Sequence, residues 1–141
     1  MNGNNSLLIE LHVPDFEKTK EFYGKLGFQV VREEKPEEKK GYLVLRKDNT
    51  ILCFWPGNDS VWEQTYFKQF PKETKRGYGV EIVIIVEDIE NFYDEVKSFA
   101  KIVGYLQRRP WGVKDFRIED PFGFYLRFTE PLDVFRSKEI R

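Results

Sequence analysis

The chain has 141 residues, and folding at that length buries roughly two-thirds of the unfolded chain's surface, enough material for one domain. Its 23 basic and 24 acidic residues leave a net charge of -1, which disfavours nucleic-acid partners, because that affinity rests on neutralising phosphates with Lys and Arg. The lone cysteine, Cys53, excludes an internal disulfide; no apolar run nears the roughly 20 residues of a transmembrane helix; and the opening Met-Asn-Gly-Asn-Asn-Ser lacks the basic and apolar regions of a signal peptide, so a cytoplasmic protein without membrane or nucleic-acid partners is expected.

In chain order, residues 6–13 predict a strand with Leu7, Ile9, Leu11 and Val13 on one face and Leu8, Glu10 and His12 on the other. Asp15 is placed to cap a helix over about 16–26, whose inward stripe is Phe16, Thr19, Phe22, Tyr23 and Leu26, with Gly27 as the residue that ends it. Phe28 to Arg32 reads as a strand, and the charged run from Glu33 to Lys40, which contains Pro36, as a solvated loop. Gly41 to Arg46 and Thr50 to Trp55 flank Lys47-Asp48-Asn49 as a hairpin. A long connection follows, in which the spacing of Trp62, Tyr66 and Phe70 permits a short helix carrying aromatics on one side. Val80 to Val86 predicts a strand. Asp88 is placed to cap a helix to about Phe99, with Ile89, Phe92, Tyr93, Val96 and Phe99 as its stripe. Strands are expected over 101–107, 113–119 and 123–129, the last two joined by a tight turn at Asp120-Pro121-Phe122-Gly123. The tail from Glu130 is polar, and partial disorder is expected there.

The two halves therefore repeat a β-α-β-β-β order, and a short motif repeats with them. Val13, Asp15 and Glu17 return as Val86, Asp88 and Glu90 at a constant spacing, each copy closing a strand and opening a helix. The expected organisation is a single domain: a first module over about 6–56, a connection over 57–78, a second module over about 79–130 and a tail over 131–141. The fold class is α+β.

This paired arrangement, with Val-x-Asp-φ-Glu opening each helix, Phe22-Tyr23-Gly24-Lys25-Leu26-Gly27-Phe28, and Asp120-Pro121-Phe122-Gly123, resembles the vicinal oxygen chelate superfamily. That superfamily includes glyoxalase I, extradiol dioxygenases, fosfomycin-resistance proteins and bleomycin resistance proteins. The stretch Arg109-Pro110-Trp111-Gly112-Val113 before the Asp-Pro turn looks most like the last group. The resemblance implies that the paired modules form a curved mixed sheet enclosing a cup, and that the protein is a homodimer. In metal-dependent members, the first and last strands of each module supply one ligand apiece, the first-strand ligand lying seven residues before the capping Asp. Carried onto this sequence, those positions are Leu8, Glu81, Arg127 and Cys53. Leu8 has no lone pair, and Arg127 stays protonated and repels a divalent cation. One thiolate and one carboxylate fall short of the three protein ligands a catalytic site normally uses. No metal and no cofactor are therefore expected.

Glu81 and Arg127, facing each other, suggest a charge-assisted pair in the metal's place. His12 has no second histidine to help it bind metal, and reads as a hydrogen-bonded or partly exposed group near a strand end. Cys53 reads as a buried small hydrophobe. Asp115, Glu119 and Asp120 read as turn and surface chemistry, so no catalytic residue is assigned. Strand parity turns Leu43, Leu45, Leu52, Phe54, Ile82, Ile84, Leu126 and Phe128 towards the helices. The opposite face then carries the expected ligand-binding residues Tyr42, Arg46, Trp55, Glu81, Arg117, Tyr125 and Arg127, with Trp62 and Trp111 closing over them. The function expected is a non-enzymatic protein of the bleomycin resistance type that sequesters an aromatic or amphipathic small molecule in a metal-free cup. The alternative is a metal-dependent lyase or dioxygenase with a divergent site.

Overall fold

A computed structural model describes residues 5–37, 40–57 and 59–136, except the side chains of residues 59 and 60. The first module holds β1 (Glu10–Val13), α1 (Phe16–Lys25), β2 (Gln29–Glu37), β3 (Lys40–Lys47) and β4 (Thr50–Pro56). Two 3₁₀ helices follow, at Asp59–Glu63 and Phe67–Gln69. The second module holds β5 (Ile82–Ile85), α2 (Ile89–Val96), β6 (Lys101–Arg108), β7 (Lys114–Glu119) and β8 (Tyr125–Thr129). The chain divides into two compact units, Met1–Thr74 and Lys75–Arg141. No helix among the described residues is long and apolar enough to cross a membrane.

Each unit carries one four-stranded mixed sheet, in the order β1-β4-β3-β2 and β5-β8-β7-β6. The pairing at one end of each sheet is parallel, β1 with β4 and β5 with β8, and the other pairings are antiparallel. The α+β class and the repeated order agree with the sequence reading. The ladders also align the two copies residue by residue. Glu10 pairs with Cys53 in the first sheet, and its repeat counterpart Val83 pairs with Arg127 in the second. Cys53 is thus the counterpart of Arg127. By the same logic Val44, paired with Cys53, is the counterpart of Arg117, paired with Arg127.

The cores form where strand parity and helix stripe meet. In the first unit, Phe16, Thr19, Phe22, Tyr23 and Leu26 from α1 are buried with Leu43, Leu45, Leu52 and Phe54. The Tyr23 ring lies 5.2 Å from Phe54 and 5.7 Å from Phe28. In the second unit Ile82, Ile84, Phe116, Ile118, Leu126 and Phe128 are buried. Phe92 of α2 packs 4.9 Å from Phe128, and Tyr93 lies the same distance from Phe116. Such aromatic pairs add to the area they bury.

Four local expectations change. The first strand shortens to Glu10–Val13, although its parallel partner β4 runs back to Thr50, and Leu7 and Leu8 are 72% and 55% exposed. The charged run is not a loop through its described part, since β2 continues to Glu37 and pairs across Glu33, Glu34 and Glu37. It is the edge of its sheet, where charges, Pro36 and a register shift between Glu34 and Glu37 discourage a further strand from adding. Residues 38 and 39 of that run lie outside the described residues, as do 137–141 of the tail. The strand expected over 80–86 contracts to Ile82–Ile85. The two helix caps also differ. Asp15 accepts a hydrogen bond from the Lys18 N–H at 3.0 Å, whereas Asp88 makes no side-chain cap bond and accepts instead from Asn91 Nδ2 at 2.7 Å. Gly27 ends α1 with φ 101°, a conformation that suits glycine alone.

Candidate functional site

In the second unit, the face of the sheet turned away from α2 carries a cluster of five charged residues. Alternation along β7 places Asp115, Arg117 and Glu119 on this face, while Phe116 and Ile118 enter the core. Arg127 follows from its pairing with Arg117, and Glu81 stands just before β5. Arg117 Nε donates to Glu81 Oε2 at 2.8 Å, and Arg127 Nε lies 3.9 Å from Glu81 Oε1. Behind them Asp115, fully buried, accepts from Arg109 Nε at 2.6 Å; Arg117 Nη1 and Arg127 Nη1 stand 3.5 and 3.8 Å from its oxygens. Burial opposes the charge of Arg117, but the hydrogen bond to Glu81 and the fields of Glu81 and Asp115 outweigh it and hold the guanidinium above its ordinary pKa.

The Pro110-Trp111-Gly112 turn closes onto this cluster. The Arg109 N–H donates to the Val113 carbonyl at 2.8 Å, the Gly112 N–H to the Arg109 carbonyl at 2.9 Å, and Arg108 Nη1 to the Gly112 carbonyl at 2.9 Å. Gly112 adopts φ 94° within the turn. The Trp111 ring then lies 5.8 Å from the Arg127 guanidinium, a cation–π contact.

Adjoining this cluster and sharing Glu81 with it, a concave site of about 550 Å³ is lined by Lys75 and residues 77–81 of the loop before β5, by Lys101 and Val103 of β6, and by Glu119, Gly123 and Tyr125. Glu119 takes an ion pair from each of two lysines, Lys75 and, at 2.7 Å, Lys101. Those two contacts hold its carboxyl below the usual carboxylate pKa.

The first unit holds different chemistry at the corresponding positions. The Tyr42 hydroxyl donates to Glu10. Burial first, then contacts with Cys53 and Glu10, push the phenol well above its ordinary pKa, so Tyr42 serves as a donor. His12 is only 7% exposed and sits among rings: Trp55 at 5.3 Å, Phe67 at 5.4 Å and Trp62 at 6.2 Å. Gly57 lets this happen, since a Cβ there would come 2.4 Å from the His12 Cβ. Trp62 thus packs on the strand face, and Tyr66, Phe67 and Phe70 extend the ring cluster along the connection.

Of the nine residues assigned to ligand binding from sequence, Glu81, Arg117, Arg127 and Trp111 come together in the second unit, with Tyr125 beside Glu81 on the concave site. Trp55 and Trp62 meet through His12 in the first unit, Tyr42 joins Glu10, and Arg46 is half-buried on the same face of β3 as Tyr42. The pair expected between Glu81 and Arg127 exists, but Arg117 is the nearer partner of Glu81. Asp115 is the residue sequence reasoning missed. It is not surface chemistry, although Asp120 is turn chemistry, accepting from the Phe122 and Phe124 N–H groups at 2.9 and 2.8 Å. The signal was present: in Asp115-Phe116-Arg117-Ile118-Glu119, acids and Arg alternate with core residues.

A metal fits poorly here. Glu81, the one carboxylate at the four inferred ligand positions, is engaged by Arg117 and Arg127, and Arg127 itself occupies another of those positions. Among the described residues, no group of three His, Cys, Asp or Glu side chains is placed to hold a metal ion.

Comparison with known families matches residues 7–128 to the glyoxalase/bleomycin resistance protein/dioxygenase superfamily. No curated protein matches the chain significantly. Solved structures share its fold at low identity. A bleomycin-binding protein complexed with bleomycin is 20% identical with a TM-score of 0.63, over 92% of this chain and 100% of that one. A bleomycin resistance determinant encoded on the transposon Tn5 is 21% identical with a TM-score of 0.61, over 90% and 98%. UcmS2 is 21% identical with a TM-score of 0.71, over 90% and 99%.

Proposed function

The chain belongs to the glyoxalase/bleomycin resistance protein/dioxygenase superfamily, and from that premise we propose that it is a non-enzymatic binding protein of the bleomycin resistance type, sequestering an aromatic or amphipathic small molecule without a metal. The observation that carries this reading is the engagement of Glu81 by Arg117 at 2.8 Å with Arg127 beside it. A carboxylate committed to two guanidinium groups is a poor metal ligand, while binding needs only affinity. The proposed ligand contacts are Tyr42, Arg46, Trp55 and Trp62 in the first unit and Glu81, Trp111, Arg117, Tyr125 and Arg127 in the second. Each unit's set combines aromatic faces with fixed charge, the usual make-up of a ligand site. The protein is proposed to act in the cytoplasm as a homodimer.

The test is a titration of bleomycin and a panel of aromatic amines, alcohols and acids against tryptophan fluorescence, alongside metal analysis of protein purified without chelators. Saturable quenching by at least one member, with metal far below stoichiometric, is the expected result. Stoichiometric Zn, Ni, Mn or Fe would favour the lyase or dioxygenase reading instead, and an absence of quenching across the panel would remove the binding assignment.

A further inference from the structure

The concave site of the second unit has a wall built of backbone. The Gly77 N–H donates to the Gly123 carbonyl at 3.1 Å, which staples the loop before β5 to the turn before β8. No side chain fits at either position. A Cβ on Gly77 would lie 2.7 Å from the Gly123 oxygen and 2.8 Å from the Phe124 Cα, and one on Gly123 would lie 2.9 Å from Lys75 Cγ. The loop is further tied by the Tyr78 N–H to the Lys75 carbonyl and the Val80 N–H to the Gly77 carbonyl, at 3.0 and 3.1 Å. The hollow is therefore formed before any ligand arrives, which lowers the ordering cost of binding.

Its lining is divided. Tyr78, Val80, Val103 and Tyr125 supply apolar and aromatic surface, and Tyr78, Val80 and Val103 are 82%, 61% and 47% exposed. Lys75, Lys101 and Glu119 supply the charge at one corner. Both lysines pair with the same carboxylate, and their side chains are 61% and 68% exposed while that of Glu119 is only 13% exposed. One carboxylate between two ammonium groups leaves one positive charge uncompensated at that corner. Glu81, the other acid of the lining, is already engaged by Arg117. The hollow thus offers an aromatic body site with a net cationic end.

The geometry points to an aromatic monoanion, a carboxylate on a planar ring system, as the ligand of this hollow. Its ring packs on Tyr125, Tyr78 and Val103, and its carboxylate bridges Lys75 and Lys101 beside Glu119. The assignment rests on the small-molecule-binding reading above and narrows it, since a cationic ligand would meet the wrong sign of charge here.

The test uses three probes that share one ring: 2-naphthoate, 2-naphthalenemethanol and the cation of 2-naphthylmethylamine, titrated into the full chain at neutral pH and followed by calorimetry. 2-Naphthoate is expected to bind roughly tenfold more tightly than the amine, the scale of one charge-assisted hydrogen bond. The double variant Lys75→Gln/Lys101→Gln, altered only at exposed side chains, should lose that preference while binding 2-naphthalenemethanol as before. Equal or tighter binding of the amine, or an unchanged naphthoate affinity in the double variant, would overturn the assignment. If the amine or bleomycin binds while naphthoate does not, the anion assignment falls and the binding-protein reading stands. If no probe binds and the fluorescence panel is also silent, both fall.

Discussion

Asp115 gathers three arginines of the second unit around one carboxylate. It is fully buried, it accepts from Arg109 at 2.6 Å, and it lies within 4 Å of Arg117 and Arg127. Through Arg109 it also steadies the turn that sets Trp111 over Arg127. Removing one partner from a buried ion pair leaves uncompensated charge, at a typical cost of 3–5 kcal/mol. Arg109 and Arg117 keep 19% and 13% side-chain exposure and can regain some water, so Asp115→Ala is expected to cost about 3 kcal/mol, the lower end of that range, in urea denaturation. Trp111 emission should shift to the red as its turn loosens. A cost under about 1 kcal/mol would mean that the cluster is not held together through this carboxylate. Glu81 and Arg127 were singled out by the family resemblance, carried onto this sequence by counting from the capping Asp88 and along the last strand. That Arg117 is the nearer partner was not legible in the sequence, because it depends on the lateral pairing of β7 with β8 and on the reach of two long side chains.

The helices and strands followed from local pattern wherever one face meets a core. Both α1 and α2 start where their stripes predict, although α2 ends at Val96 and leaves Phe99 outside it, and all five residues of the α1 stripe are buried. The repeat motif misleads at one point, since identical capping residues behave differently. Asp15 bonds the Lys18 N–H, while the Asp88 backbone (φ -103°, ψ 72°) leaves its carboxylate to Asn91. Loss of a working N-cap typically costs about 1 kcal/mol. Asp15→Ala is therefore expected to lower stability by about 1 kcal/mol and Asp88→Ala by less than half as much, measured side by side in denaturant. Equal losses would show that the caps are equivalent in solution. The charged run through Pro36 failed as a loop for a related reason. Composition reports that a segment is solvated, but an edge strand is solvated too, and only the partner β3 separates the two cases.

For the molecule as a whole, one surface feature bears on assembly. Val83 and Ile85 are 42% and 51% exposed on β5, an edge strand, and the ladder puts Val83 beside Arg127. Apolar residues standing outward on an edge favour coverage by another chain. Sedimentation equilibrium is expected to give twice the 16.9 kDa chain mass, and Ile85→Asp should shift the population towards monomer. A monomer at tens of micromolar would refute the proposed homodimer.

Periodicity, capping residues and the Val-x-Asp-φ-Glu repeat were enough to establish the α+β class, the doubled β-α-β-β-β order and the core faces, because each is written in residues near one another along the chain. The contents of the site were decided elsewhere. Strand register made Cys53 the counterpart of Arg127 and Val44 that of Arg117, so the charged cluster occupies one copy of the repeat, while its sibling holds Glu10, Tyr42 and the rings around His12. Pairing across strands joins residues far apart in sequence, and its energy depends on which side chains then meet; no local pattern records that choice.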